Sequence, residues 1–267
     1  MKILRFLAAL CFVAAAASAA GDEKVTSIDI YVTPYYSANA GKAEHVKVYD
    51  KIDGLLKSGT LEDFKSAEKI VQDAPQMVTP MTLFVLSARA YDLGLRDEAV
   101  FWFYNAKNRA ILLREVINLD DGRFFEVKNA IGAFIKLVGD VVNPYAFCDI
   151  KKQQDIAAKS LEWSKANVYE AMFLPEFASP HADRKEALAK AIEILEARAQ
   201  KEKDYFLNEE NLAKFKEAFE QFIAVQKELA QISEQERKIE ELKEFARFEI
   251  EKIERVSPKI GEYDELL

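Results

Sequence analysis

The side chains with the widest chemical range in this chain are His45, His181, Cys148 and the acidic pair Asp120-Asp121. Imidazole acts as a general base or a metal ligand near neutral pH, but no metal-ligand spacing surrounds either histidine and the two lie in distant parts of the sequence. Each reads as an ordinary surface or capping residue. A cysteine nucleophile needs a base beside it, and the sequence puts none near Cys148, between Phe147 and Ile150. It is expected to be a small buried hydrophobe, with an intermolecular bridge as the alternative. Asp120-Asp121-Gly122 begins like a calcium loop, yet Lys128 stands where the closing Glu is needed and Leu119 where an oxygen ligand is needed, so it reads as a link between helices. There is no Gly-rich phosphate loop and no Gly-x-Ser-x-Gly elbow. The expectation is a protein with no catalytic residue, no metal and no cofactor.

The elements that position these residues are bounded first by composition. The chain has 267 residues, 50% of them hydrophobic, with 9 Gly, 7 Pro, 2 Cys and 11% aromatic residues. These values suffice for one large or two small packed domains and exclude collagen-like, disulfide-scaffold and wholly disordered classes. Lys plus Arg number 37 against 45 Asp plus Glu, a net charge of -8 that opposes binding to nucleic acid through its phosphates.

Residues 1–19 have the three parts of a signal peptide: the cations Lys2 and Arg5, the apolar run Phe6 to Ala17, and the small residues Ala17-Ser18-Ala19. Cleavage is expected between Ala19 and Ala20. The apolar run is shorter than the about 20 residues that cross a bilayer, so no transmembrane anchor is expected after processing. Cys11 lies inside that run behind Leu10, where a lipoprotein needs a small residue, and leaves with the signal. Removing Lys2 and Arg5 takes the net charge from -8 to -10 and leaves Cys148 without a partner for an internal disulfide. With no Asn-x-Ser/Thr site present, a bacterial periplasm is the expected location, secretion the alternative.

Residues 20–41 form an extended N-terminal segment. Ile28 to Val32 alternates apolar and polar residues but has no strand candidate downstream to pair with, and Ile30, Tyr31, Tyr35 and Tyr36 would dock it against helices or offer it to a partner. Beyond Lys42 the punctuation is helical. Ser58-Gly59 stops one helix, Thr60 with Glu62 and Asp63 starts the next, and Thr79-Pro80 is a cap followed by proline at the first helical position. Ala99 to Tyr104 is apolar all round, which predicts a central, multiply contacted helix. Asn143-Pro144 is expected to end the helix that follows, and Ile150 to Ala166 predicts another.

Thr82 to Ala110 reads TLFVLSARAYDLGLRDEAVFWFYNAKNRA: a helix ending at Gly94, then a second carrying Ala99, Trp102, Phe103 and Ala106, small residues that admit a partner helix and large rings that fill the groove beside it. This stretch resembles a tetratricopeptide or Sel1-like repeat, with Ala88 and Tyr91 at first-helix positions. The resemblance implies an antiparallel helical hairpin that recognises a protein or peptide. The polar residues beside the core stripe, Arg89, Asp92, Asn105, Asn108 and Arg109, would form the recognition groove; the alternative is a solvated face with local ion pairs.

Between Pro180 and Pro258 there is neither Gly nor Pro, and Glu, Lys, Ala and Leu predominate. Leu212, Phe215, Phe219, Phe222, Gln226 and Leu229 follow a 3-4 alternation that Ile239, Leu242, Ala246, Ile250, Ile253 and Val256 resume in shifted phase. Asn208 before Glu209 and Glu210 is a helix start, and Ile232 to Glu236 is either a turn or a stutter in one rod. A continuous helix from Glu209 to Val256 would be about 70 Å long at about 1.5 Å per residue, and its apolar seam would fold back or pair with another chain.

The expected protein is thus all-α: a helical-hairpin domain over residues 42–180, tetratricopeptide-like, then a charged long-helix region over 181–267, coiled-coil-like. Its expected role is non-catalytic protein-protein interaction or assembly, as an adaptor or scaffold, with self-association through residues 208–256. The alternatives are a small-ligand carrier or enzyme with a pocket near Trp102, and a structural spacer.

Overall fold

A computed structural model describes residues 38–39, 42–43 and 52–256 apart from positions 53, 57 and 176, with the backbone alone at 38–39, 42–43, 123, 125 and 126. The signal peptide with Ala19 and Ala20, the segment Ile28 to Val32, Tyr35, Tyr36 and His45 lie outside the described residues. The fold is all-helical apart from a two-residue antiparallel ladder of β1 (Ala38–Asn39) and β2 (Lys42–Ala43). After helical residues at Ile52, Gly54 to Leu56 and Ser58 come α1 (Leu61–Asp73), α2 (Pro80–Asp92), α3 (Arg96–Val116), α4 (Phe125–Phe147), α5 (Ile150–Ala166), α6 (Arg184–Leu207) and α7 (Glu209–Val256). Three short 3-10 turns, Pro75–Met77, Gly122–Phe124 and Glu170–Phe173, connect them.

The helix ends follow from local chemistry. Thr60 Oγ1 accepts from the Asp63 N–H and Thr79 Oγ1 from the Thr82 N–H, each satisfying an amide that the helix leaves unpaired. The carboxylates of Asp149 and Asp183 and the side-chain carbonyl of Asn208 cap α5, α6 and α7 in the same way. At the end of α2, the Leu95 N–H donates to the Ala90 carbonyl and the Gly94 N–H to the Tyr91 carbonyl, a Schellman closure that needs the positive φ of Gly94, +80°.

Pro144 does not end its helix: α4 runs on to Phe147. Proline removes one amide donor, and so close to the C-terminus little of the ladder remains to be disrupted. The continuing turn is held by Ala146, which is buried, and by Tyr145, whose hydroxyl donates to Asp97 Oδ1 at 2.7 Å. Cys148, the C-cap residue beyond that turn, is exposed rather than buried, its Sγ donating to the Pro144 carbonyl at 3.1 Å.

The described residues fall into two compact units, one ending at Phe215 and the other beginning at Lys216. In the first, α3 packs against α2, α4, α5 and α6. One apolar cluster gathers Phe64, Phe84, Trp102, Phe103 and Val142; a second gathers Met81, Leu112, Val116, Tyr169 and Met172 with Leu188, Ala191 and Leu195 of α6. The composition change after Pro180 and the packing boundary at Phe215 therefore do not coincide. In α4, Gly139 lets the Phe103 ring approach closely: a Cβ there would stand 3.1 Å from the ring edge. The second unit contains Lys216 to Val256 of α7, an uninterrupted helix through Ile232 to Glu236 with no buried residue.

Candidate functional site

The five polar residues singled out along α2 and α3 fall into two groups with different neighbours. Arg89 and Asp92, one turn apart on α2, form an ion pair at 3.2 Å, and Arg89 Nε donates to the Leu56 carbonyl at 2.5 Å. Asn105, Asn108 and Arg109 share one face of α3, toward α5. Asn105 Oδ1 accepts from Ser164 Oγ at 2.8 Å, while Asn108 Nδ2 stands 3.5 Å and 3.4 Å from Ser160 Oγ and Ser164 Oγ. Arg109 donates from Nη1 to the carbonyls of Pro75 (2.7 Å) and Val78 (2.5 Å) and from Nη2 to that of Asn167 (2.6 Å), with its cation 5.2 Å from the Trp163 ring and 5.7 Å from that of Tyr169. Arg89, Asn105 and Arg109 are buried, and burial pulls the Arg109 guanidinium down to about 10. Their donors are directed at carbonyls and hydroxyls of this chain, where they join elements that the apolar core alone does not orient.

Trp102 lies under this layer, 1% exposed, with its Nε1 donating to Glu68 Oε1 of α1 at 3.0 Å. The rings of Phe101 and Trp163 meet it edge-on at 5.0 and 5.5 Å. A small apolar-walled cavity lies elsewhere, among Leu113, Ile117, Phe124, Val127, Tyr169 and Phe177. Other polar contacts had no signal in the sequence because they join distant positions: Gln153 Nε2 donates to both Tyr104 Oη and Glu202 Oε1 at 3.0 Å, and Arg184 Nη1 donates to the carbonyls of Met172 (3.0 Å) and Leu174 (2.6 Å). Burial raises the Tyr104 phenol and keeps it neutral. Lys152 and Tyr145 hold the Asp97 carboxyl below its ordinary range.

His181 is exposed, with Nε2 2.9 Å from the Glu115 carbonyl. Asp120 pairs with Lys128 at 2.5 Å across the helix link. Among the described residues no group of three His, Cys, Asp or Glu side chains comes together as a metal site. Val127–Phe147 of α4 has the length and apolarity to cross a membrane, and its Val138, Val142 and Ala146 belong to the first core cluster.

The surface that stands out lies on α7. Val225, Leu229, Ile232, Ile239, Leu242, Phe245, Phe248, Ile250, Ile253 and Val256 are all between 39% and 77% exposed. Isolated surface apolar residues are ordinary, whereas a series of this length along one helix is unusual. Around it, Arg237 pairs with Glu234 and Glu241, Lys243 with Glu240 and Lys252 with Glu249, all within the helix at three- and four-residue steps.

No protein-family model matches the chain, and no solved structure matches it. An uncharacterized protein of Haemophilus influenzae (strain ATCC 51907 / DSM 11121 / KW20 / Rd) is 44% identical to it over 223 residues, which cover 83% of this chain and 86% of the relative. Identity at that level over most of both chains is that of one fold and one lineage, and the chain belongs to the family of this Haemophilus influenzae protein.

Proposed function

We propose that this protein is exported to the periplasm and acts there, without catalysis, as an adaptor or scaffold: a helical-hairpin domain of tetratricopeptide-like character presents a surface to another protein or peptide, and α7 serves self-association in a coiled-coil-like manner. The observation that carries this reading is the exposed apolar series on α7; the first unit gathers most of its large apolar side chains into two cores and leaves Leu61, Ile135, Leu137, Phe173, Ile194 and Leu207 exposed. The tripartite N-terminus of residues 1–19 supports export. The α2–α3 pair, joined through Gly94 with Ala99 and Ala106 both buried, supports the hairpin reading.

The test expresses the tagged full chain in a bacterium and reads two things. Intact mass of the periplasmic product is expected to match a chain beginning at Ala20; an unprocessed cytoplasmic product removes export. Cross-linking in that compartment, followed by mass spectrometry, is expected to recover defined partner peptides attached to the first unit or to α7. A chain that yields no cross-link to any protein, itself included, removes the adaptor reading.

A further inference from the structure

The exposed residues of α7 include a strict seven-residue series, Val225, Ile232, Ile239, Ala246 and Ile253, flanked on one side by a second, Phe222, Leu229, Glu236, Lys243 and Ile250. Together they make a 4-3 seam over more than four heptads, the length at which such a seam specifies a helical partner of the same period. Val225, Leu229, Ile232, Ile239, Ile250 and Ile253 on this seam are each at least 39% exposed. Phe245 and Phe248 lie off it.

The two charged members of the seam decide the partner. In a parallel pair of identical chains, Glu236 meets Glu236 and Lys243 meets Lys243, like charges at the interface. In an antiparallel pair, the register with the longest overlap of the two series layers Phe222 on Ile253, Val225 on Ile250, Leu229 on Ala246, Ile232 on Lys243 and Glu236 on Ile239. The whole set then repeats by two-fold symmetry. Each Glu236 comes one layer from the Lys243 of the other copy, twice in the pair, and one layer from the other Glu236, once, so two opposite-charge contacts stand against one like-charge contact, where the parallel pair has only like charges in its layers. We infer that α7 is the interface of an antiparallel homodimer, its partner a second copy of this chain, with Glu236 and Lys243 setting its direction. The inference deepens the self-association half of the proposed function and rests on it.

Sedimentation equilibrium of the purified full chain at micromolar concentration tests it. The expected result is a dimer that the double variant Ile232→Ser/Ile239→Ser weakens by at least about tenfold, while Phe245→Ser leaves it unchanged; all three positions are more than 40% exposed, so the first unit folds in each. Glu236→Lys and Lys243→Glu are each expected to weaken the dimer about tenfold or more by creating like-charge contacts, and Glu236→Lys/Lys243→Glu to restore it. A monomer at every concentration overturns both this inference and the self-association reading. A dimer indifferent to Ile232 and Ile239 overturns this inference alone. So does a dimer that the single charge reversals leave unchanged, since a parallel pair exchanges one like-charge contact for another.

Discussion

Arg109 is a cation inside a helical core, and three backbone carbonyls hold it there. Replacing it with Met leaves those carbonyls without a donor, and the expected loss is about 3 kcal/mol or more, read from urea unfolding midpoints. Arg109→Lys is expected to recover less than half of that, because a single ammonium cannot span three acceptors that a planar fork reaches together. Carboxylates set the pH response. Hydrogen bonds hold Asp63 (from Ser58 and Thr60), Asp97 (from Lys152 and Tyr145) and Asp183 (from the backbone N–H groups of Glu186 and Lys185) below the ordinary aspartate value. A folded-state value below the unfolded one means that the stabilisation is complete above the unfolded value and is lost as pH falls through the folded one. The urea midpoint is therefore expected to fall below about pH 4, while Asp140, whose carboxyl burial raises, contributes in the opposite direction. Asp183→Asn, which keeps a cap acceptor that does not titrate, is expected to make that acid-side fall shallower.

At the scale of elements, the closure of α2 rests on backbone conformation. A Cβ at Gly94 would meet nothing within 4 Å, so the whole effect of Gly94→Ala comes from φ near +80°. The expected loss is about 1 kcal/mol, measured as a lowered thermal midpoint. The caps at Thr60, Thr79 and Asn208 and the stop at Gly94 were all legible in the sequence, because a cap is an interaction between residues two to five positions apart. Pro144 misleads for the complementary reason: its effect on α4 depends on what holds the next turn, and Tyr145 does so through Asp97 on α3, far away in sequence. The polar residues Arg89, Asn105 and Arg109 were legible as a group but not as buried ties, since Arg89 and Arg109 donate to the carbonyls of Leu56, Pro75, Val78 and Asn167 and Asn105 accepts from the Ser164 hydroxyl, all distant in sequence.

For the whole molecule, the division at Phe215 has a direct consequence. The core of the first unit is complete with α6, through Leu188, Ala191 and Leu195, and with Phe215, whose ring lies 5.4 Å from that of Phe147. A chain ending after Phe215 is therefore expected to keep one cooperative unfolding transition with a midpoint close to that of the full chain, and to sediment as a monomer; a chain ending after Pro180 loses α6 and is expected to unfold at markedly lower urea.

By itself the sequence determined that the protein is helical, where most of its helices begin and end, and that a long Gly- and Pro-free stretch follows Pro180. Those properties rest on contacts within a few residues along the chain, which the order of side chains encodes directly. Only the tertiary structure decided that Pro144 lies within α4, that Cys148 is exposed and that Arg109 is a tie between distant segments. Each depends on which distant residues supply a carbonyl, a ring or an apolar wall. The unbroken course of α7 through Ile232 to Glu236 rests instead on local helix propensity and spaced ion pairs such as Glu234 with Arg237.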